Sequence, residues 1–180
     1  MWRSAVALRA TAQQESRKGG FVRGNPDVIA KLNEALQEEL TAINQYFVHA
    51  EMCHNWGYNR LGNYIKKQSI GEMKHAEEIL ERILFLDGAP NMQPLPLTIG
   101  QDVRTQLQKD LALEIKAVGM YNESVKVARE AGDNTSRELF ERLLKDEEEH
   151  VDFLEAQIHQ IKELGYERYL SQQIEETEAK

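Results

Sequence analysis

The chain has a single cysteine, Cys53, so it can form no internal disulfide and offers no pair of thiolates for a rubredoxin-like or zinc-ribbon site. That usage suits a reducing compartment. Nowhere do 18 or more apolar residues follow one another, which argues against a membrane span. The N-terminus also lacks the compact apolar stretch of a secretory signal. Proline is scarce: Pro26, Pro90, Pro94 and Pro96 are the only four, and they leave two long stretches that could each hold a pair of helices. Basic residues are outnumbered, 22 Lys and Arg against 30 Asp and Glu, for a net charge of −8. Residues 1–23 run against that balance at +4, with Arg3, Arg9, Arg17, Lys18 and Arg23 against Glu15, so the remainder stands at −12. Such an acidic body repels nucleic-acid phosphates and attracts cations, so neither nucleic acid nor membrane is expected as a partner.

The apolar residues that are present recur at helical spacing. Leu32, Leu36, Leu40, Ile43, Phe47 and Ala50 form a stripe that begins near Pro26 and breaks around Asn55-Trp56-Gly57. A second stripe runs Leu61, Ile65, Gln68, Ala76, Ile79, Ile83 and Leu86, and stops at Asp87-Gly88-Ala89-Pro90. Pro90 to Gly100 is too long for a simple helical hairpin and reads as a crossover spanning a bundle end to end. A third helix carries Val103, Leu107, Leu111, Val118 and Val125, up to a turn at Ala131-Gly132-Asp133-Asn134. A fourth carries Phe140, Leu143, Val151, Leu154, Ile158 and Ile161, with Gly165 placed to cap it and Tyr166 to Ile174 as a short last helix. The expectation is an all-α four-helix bundle with a long crossover loop and a short C-terminal fifth helix.

Residues 1–20 lack such periodicity and are expected to be disordered. Their Arg-rich, acid-poor character also resembles a mitochondrial transit segment, or the extension is an artefact of where the reading frame was begun.

The chemistry lies in a doubled pattern. Glu72-x-x-His75 falls on the second helix and Glu147-x-x-His150 on the fourth, each pair one turn apart on one face. Both sit within the apolar stripes, while Glu39 lies among Leu36, Leu40 and Ile43 and Glu114 among Leu111, Ile115 and Val118. Adding 75 to Glu39, Glu72 and His75 gives Glu114, Glu147 and His150, and the same shift takes Tyr46 to Tyr121. The helix pairs thus read as pseudo-symmetric halves at these positions. A lone ionised carboxylate in an apolar interior costs several kcal/mol, and here are four with no Arg or Lys on the same stripes. Two divalent cations would balance four carboxylates, and oxygen-rich ligation with imidazole suits iron or manganese.

These motifs, Glu38 to Phe47, Gly71 to Ala76, Glu81 to Leu86 and Asp146 to His150, resemble those of the bacterioferritins, and the resemblance covers about residues 24–176. It implies a ferritin-like di-iron domain over 24–180 behind an extension at 1–23, and an iron-storage and ferroxidase function in a cytoplasmic shell of twenty-four subunits. Glu39, Glu72, His75, Glu114, Glu147 and His150 would then hold two iron ions per subunit, Glu72 and Glu147 as bridges. Tyr46 would stand beside them as a one-electron donor or a core aromatic. Met73, about 100° around the helix from Glu72, would ligate a haem b shared between two subunits. The implied partners are ferrous iron, dioxygen or hydrogen peroxide, further copies of the chain, and a ferredoxin-type reductant for release.

One departure stands out. Many bacterioferritins carry a His and an Asp on the cavity side of the second helix that hold an inner-surface iron, and the matching residues here are Lys67 and Gly71. No such inner site is expected. His49, His54 and His159 are read as surface or packing residues. A di-iron oxygenase would use the same ligands but has no extra substrate domain here, and a shell subunit without oxidation remains the alternative of another class. A rubrerythrin-type peroxidase lacks its cysteines, and the small DNA-protecting relatives take ligands from subunit interfaces.

Overall fold

A computed structural model describes residues 23–174. The expected disordered or targeting segment, all but Arg23 of residues 1–23, lies outside the described residues. Four long helices make up the body: α1 (Pro26–Asn55), α2 (Asn59–Phe85), α3 (Val103–Glu130) and α4 (Asn134–Leu164). A single short turn, α5 (Tyr166–Ser171), follows, and it stops three residues before the expected Ile174.

Several boundaries have a local cause. Asn25 accepts the Asp27 N–H at 2.8 Å, with Pro26 in the first turn. Gly57, at φ 84°, turns the chain from α1 into α2. Asp102 and Thr105 form a reciprocal capping box on α3, and Asp133 accepts the Ser136 N–H at 3.0 Å to start α4. Arg82 near the end of α2 reaches that same turn and donates to Asp133 at 2.6 Å, tying the two helix pairs together.

The crossover, residues 86–102, forms no secondary structure, so its backbone must find partners elsewhere. It finds them on α1. Asn33, Gln37, Thr41, Gln45 and His49, spaced every four residues on one face, hold in turn Ala89 and Asn91, Gln93, Leu95, Thr98 and Gly100, at 2.6 to 3.1 Å. This polar ladder explains how a proline-rich strap can lie along the bundle.

α1 packs along α2 and α3 along α4, α1 also meets α3, and α2 and α4 approach each other at few points. The interior has two apolar clusters. One gathers Leu32, Leu36, Ile79, Ile83, Phe140 and Leu143, and the other Tyr46, Leu61, Ile65, Leu107, Leu154 and Tyr169. Each fully buried Leu, Ile or Phe contributes about 1.5–3 kcal/mol. Two stripe residues are corrected. Phe47 is 50 % exposed and Ile115 is 54 % exposed, while Ala42, Tyr46, Ala117 and Tyr121 fill the inward positions beside them. The inward arc of α1 and α3 is taken by carboxylates and rings, which displaces those aliphatics outward.

Candidate metal centre

Each long helix contributes to one point in the bundle interior. Glu39 comes from α1, Glu72 and His75 from α2, Glu114 from α3, and Glu147 and His150 from α4. None of the four carboxylates is more than 2 % exposed, so water cannot solvate them. Their ligand atoms fall into two groups, Glu39, Glu72, His75 and Glu147, and Glu72, Glu114, Glu147 and His150, each within 4.8 Å throughout. Glu72 and Glu147 belong to both. The sequence placed all six together, and they are together.

The contacts repeat across a pseudo-two-fold. His75 Nδ1 lies 2.8 Å from Glu72 and 3.6 Å from Glu147, and His150 Nδ1 lies 3.0 Å and 3.2 Å from the same residues. The rings run nearly parallel, 21° apart, with centroids separated by 6.4 Å. Short as these contacts are, both oxygens of Glu72, one of Glu39 and His75 Nδ1 make no hydrogen bond of acceptable geometry. Their lone pairs converge on a shared space instead, as metal ligands do. Two sites, each with one imidazole, one terminal carboxylate and two shared carboxylates, fit two divalent cations of the iron or manganese kind.

Without a cation, four of the six groups favour their protonated forms. Burial pushes Glu39 and Glu114 well above the usual carboxylate range, helped by repulsion from Glu147. Burial alone would lower the histidines, but the glutamate carboxylates that close around them raise His75 to about 12 and His150 to about 10. Glu147 goes the other way despite its burial, held well below the usual range by His150 and His75.

The next layer contains groups that periodicity did not reveal. Tyr46 donates to Glu114 and Tyr121 donates to Glu39, so each terminal carboxylate is oriented by a tyrosine from the opposite helix pair. Tyr121 was visible as the counterpart of Tyr46 but was not named as a site residue. Asp146 approaches the outer nitrogen of His75 at 3.5 Å. Its counterpart under the 75-residue shift is Gly71, so among the described residues no carboxylate stands behind His150. His49 is fully buried, a packing residue with partners: Nε2 accepts the Gly100 N–H, so Nδ1 carries the proton and donates to Asp110 at 2.9 Å. Gln45 donates to the same carboxylate at 2.8 Å. His54 touches Asn63 at 3.1 Å, and His159 is exposed. Met73 is 55 % exposed and stands outside the bundle core, with Ile70 and Phe47 exposed on the same pair of helices.

An antiparallel bundle with a long crossover and two glutamates shared between two imidazole-bearing groups defines the ferritin-like class, and residues 29–164 match the Ferritin-like domain family. Bacterioferritin BfrA of Mycobacterium tuberculosis is 47 % identical over 152 residues, 84 % of this chain and 96 % of that protein. The bacterioferritin of Streptomyces coelicolor is 44 % identical over 158 residues, 87 % of this chain and 95 % of that one. Among solved structures, Mycobacterium tuberculosis BfrA superposes with a TM-score of 0.84 at 46 % identity, covering 85 % of this chain and 97 % of that one. Rhodobacter capsulatus bacterioferritin superposes with a TM-score of 0.85 at 42 % identity, covering 88 % and 99 %, and is described with a metal-free dinuclear site and a haem iron. The chain belongs to the bacterioferritin family. No helix among the described residues is long and apolar enough to cross a membrane. The relatives come from bacteria, and nothing in them favours the mitochondrial alternative.

Proposed function

We propose that the chain is a ferroxidase subunit of an iron store: two ferrous ions bind between the four helices, are oxidised, and the ferric product is deposited inside a shell of twenty-four copies. The observation that carries this is the pair of overlapping ligand groups sharing Glu72 and Glu147. Iron here is substrate and cargo. Two ferrous ions give up two electrons, which reduce dioxygen with two protons to hydrogen peroxide, or hydrogen peroxide with two protons to two waters. Glu39 and Glu114 serve as terminal ligands, His75 and His150 as the imidazoles, and Glu72 and Glu147 as the bridges holding the ions together. Tyr46 and Tyr121 orient the terminal carboxylates, and Tyr46 is also placed to give an electron. The unit runs from residue 24 to the C-terminus and acts in the cytoplasm.

Haem b fits the outside of α2. The Met73 thioether is exposed and free to ligate, and Ile70 and Phe47 supply exposed apolar surface on the same helix pair. Met73 and its equivalent in a second copy would ligate the group, and a bound haem would supply one-electron transfer, here with a ferredoxin-type reductant for iron release.

The test is rapid mixing of metal-free protein with ferrous iron and oxygen, followed by the near-ultraviolet absorbance of ferric iron. A fast phase saturating at about two irons per chain, and lost in Glu114→Ala and His150→Ala, supports the reading. A wild type without a fast phase leaves a shell or haem protein. Met73→Leu is expected to abolish haem uptake, read from the Soret band, and to leave the fast phase intact.

A further inference from the structure

Among the described residues, the buried side-chain atoms that make no hydrogen bond belong to Glu39, Glu72, His75, Arg137 and one further carboxylate, Glu38. Glu39, Glu72 and His75 are ligands of the candidate centre, where a free lone pair is what a cation would fill. Glu38 shows the same feature outside the ligand set. The residue is 5 % exposed, and its Oε2 has no partner.

Its other oxygen has one. Lys116 Nζ reaches from α3 to α1 and donates to Glu38 Oε1 at 2.5 Å. The lysine side chain is 57 % exposed and the glutamate side chain 6 %, so the two partners stand to lose different amounts if they part. The exposed ammonium on its flexible stem gives up little, because water takes the place of the carboxylate around it. The buried carboxylate has no such replacement and needs another cation.

Glu38 also stands near the centre. It precedes the ligand Glu39 on α1, and Lys116 follows the ligand Glu114 by two residues on α3. Burial and the charges of Glu147 and Glu39 raise the proton affinity of Glu114, and the charge of Glu38 adds to them. The 75-residue shift takes Glu38 to Leu113 and relates Lys116 to Thr41, so the other half carries no such pair.

We infer that Glu38 is a staging ligand for divalent cations: an incoming ion displaces Lys116, is held by the Glu38 carboxylate with water completing its shell, and passes to Glu114. One cation replaces another on the same carboxylate, and one carboxylate with several waters is an ordinary shell for a hard divalent ion. Lys116 is the latch that neutralises Glu38 between ions. The inference rests on the metal-centre reading and adds the residues through which that centre is loaded.

The test is the rate at which cobalt fills metal-free protein under nitrogen, read from the visible absorption of the bound ion, so oxidation plays no part. Glu38→Gln keeps the shape and an acceptor for Lys116 but removes the charge. At low cobalt it is expected to fill about tenfold more slowly than wild type, the scale on which a local field changes association rates, and to reach the same final absorbance. Lys116→Met removes the latch and its positive charge and is expected to fill about twofold faster or more. A mere brace between α1 and α3 would make the two substitutions act alike, because both remove the same ion pair. A wild-type rate in Glu38→Gln, a lower final absorbance in that variant, or a rate in Lys116→Met no faster than wild type would each overturn the inference. Should Glu38→Gln not fold, Lys116→Met decides alone. A wild type that binds no cobalt is a different result and brings down the metal centre itself.

Discussion

Asp146 and Gly71 occupy equivalent positions in the two halves, and only one of them has a side chain. A carboxylate behind a ligating imidazole fixes the ring and raises its basicity, and losing one typically costs about 10–100-fold in metal affinity. The two cation sites are therefore expected to differ, the His75 side binding more tightly. Cobalt or zinc titration should resolve two steps in the wild type, merging in Asp146→Ala as the tighter step weakens about tenfold or more. Gly71→Asp has open space for its Cβ and is expected to strengthen the weaker step. Proton linkage belongs to the same scale. Metal needs Glu39, Glu114, His75 and His150 unprotonated, and all four have raised proton affinity in the folded site. Each therefore binds protons more readily than an ordinary side chain, so zinc binding should release protons and tighten between about pH 6 and 8. Calorimetry in buffers of differing ionisation heat reads this, and binding without net proton release would contradict it.

At the scale of elements, α1 does two jobs with two faces. Its inward face brings Glu39 and Tyr46 to the centre, and an adjoining face carries the polar ladder that holds the crossover. Gln45 is where ladder and interior meet, since its amide donates to buried Asp110 and its carbonyl accepts from Thr98. Gln45→Leu strips a donor from a buried carboxylate and a partner from a backbone N–H, at a cost of about 1–3 kcal/mol. Thermal unfolding should show the loss, and hydrogen exchange should show faster opening at Thr98 while the centre still binds zinc. The helices, the crossover and its length were legible from proline placement and apolar spacing. The ladder was not, because Asn33, Gln37, Thr41, Gln45 and His49 look like ordinary surface polarity until the strap lies over them. Phe47 and Ile115 were misplaced for a related reason: hydrophobic spacing alone cannot tell a stripe that faces the core from one beside it when carboxylates occupy the core arc.

For the molecule as a whole, the full candidate ligand set comes from one chain, so under the proposed function oxidation and assembly are expected to be separable. Phe47, Ile70 and Met73 leave exposed apolar area on the α1–α2 side of a strongly acidic body, where a second copy would cover it. Ile70→Glu puts a charge there and is expected to shift sedimentation toward small species. The fast phase at about two irons per chain should persist, while the total iron held per chain falls severalfold. Loss of the fast phase along with assembly would mean that the centre needs its neighbours.

The sequence by itself determined the helix pairs, the crossover and the six residues of the centre, because ligand spacing on an α-helix follows from 3.6 residues per turn and the 75-residue shift repeats it. It also determined that one cysteine leaves no thiolate pair within this sequence for a disulfide or a four-sulfur metal site. The sharing of Glu72 and Glu147, which the family resemblance implied, follows in the structure from how four helices approach one another. The tyrosine from the opposite pair behind each terminal carboxylate and the buried His49–Asp110 contact depend only on distances between elements, which no periodicity along a single helix encodes.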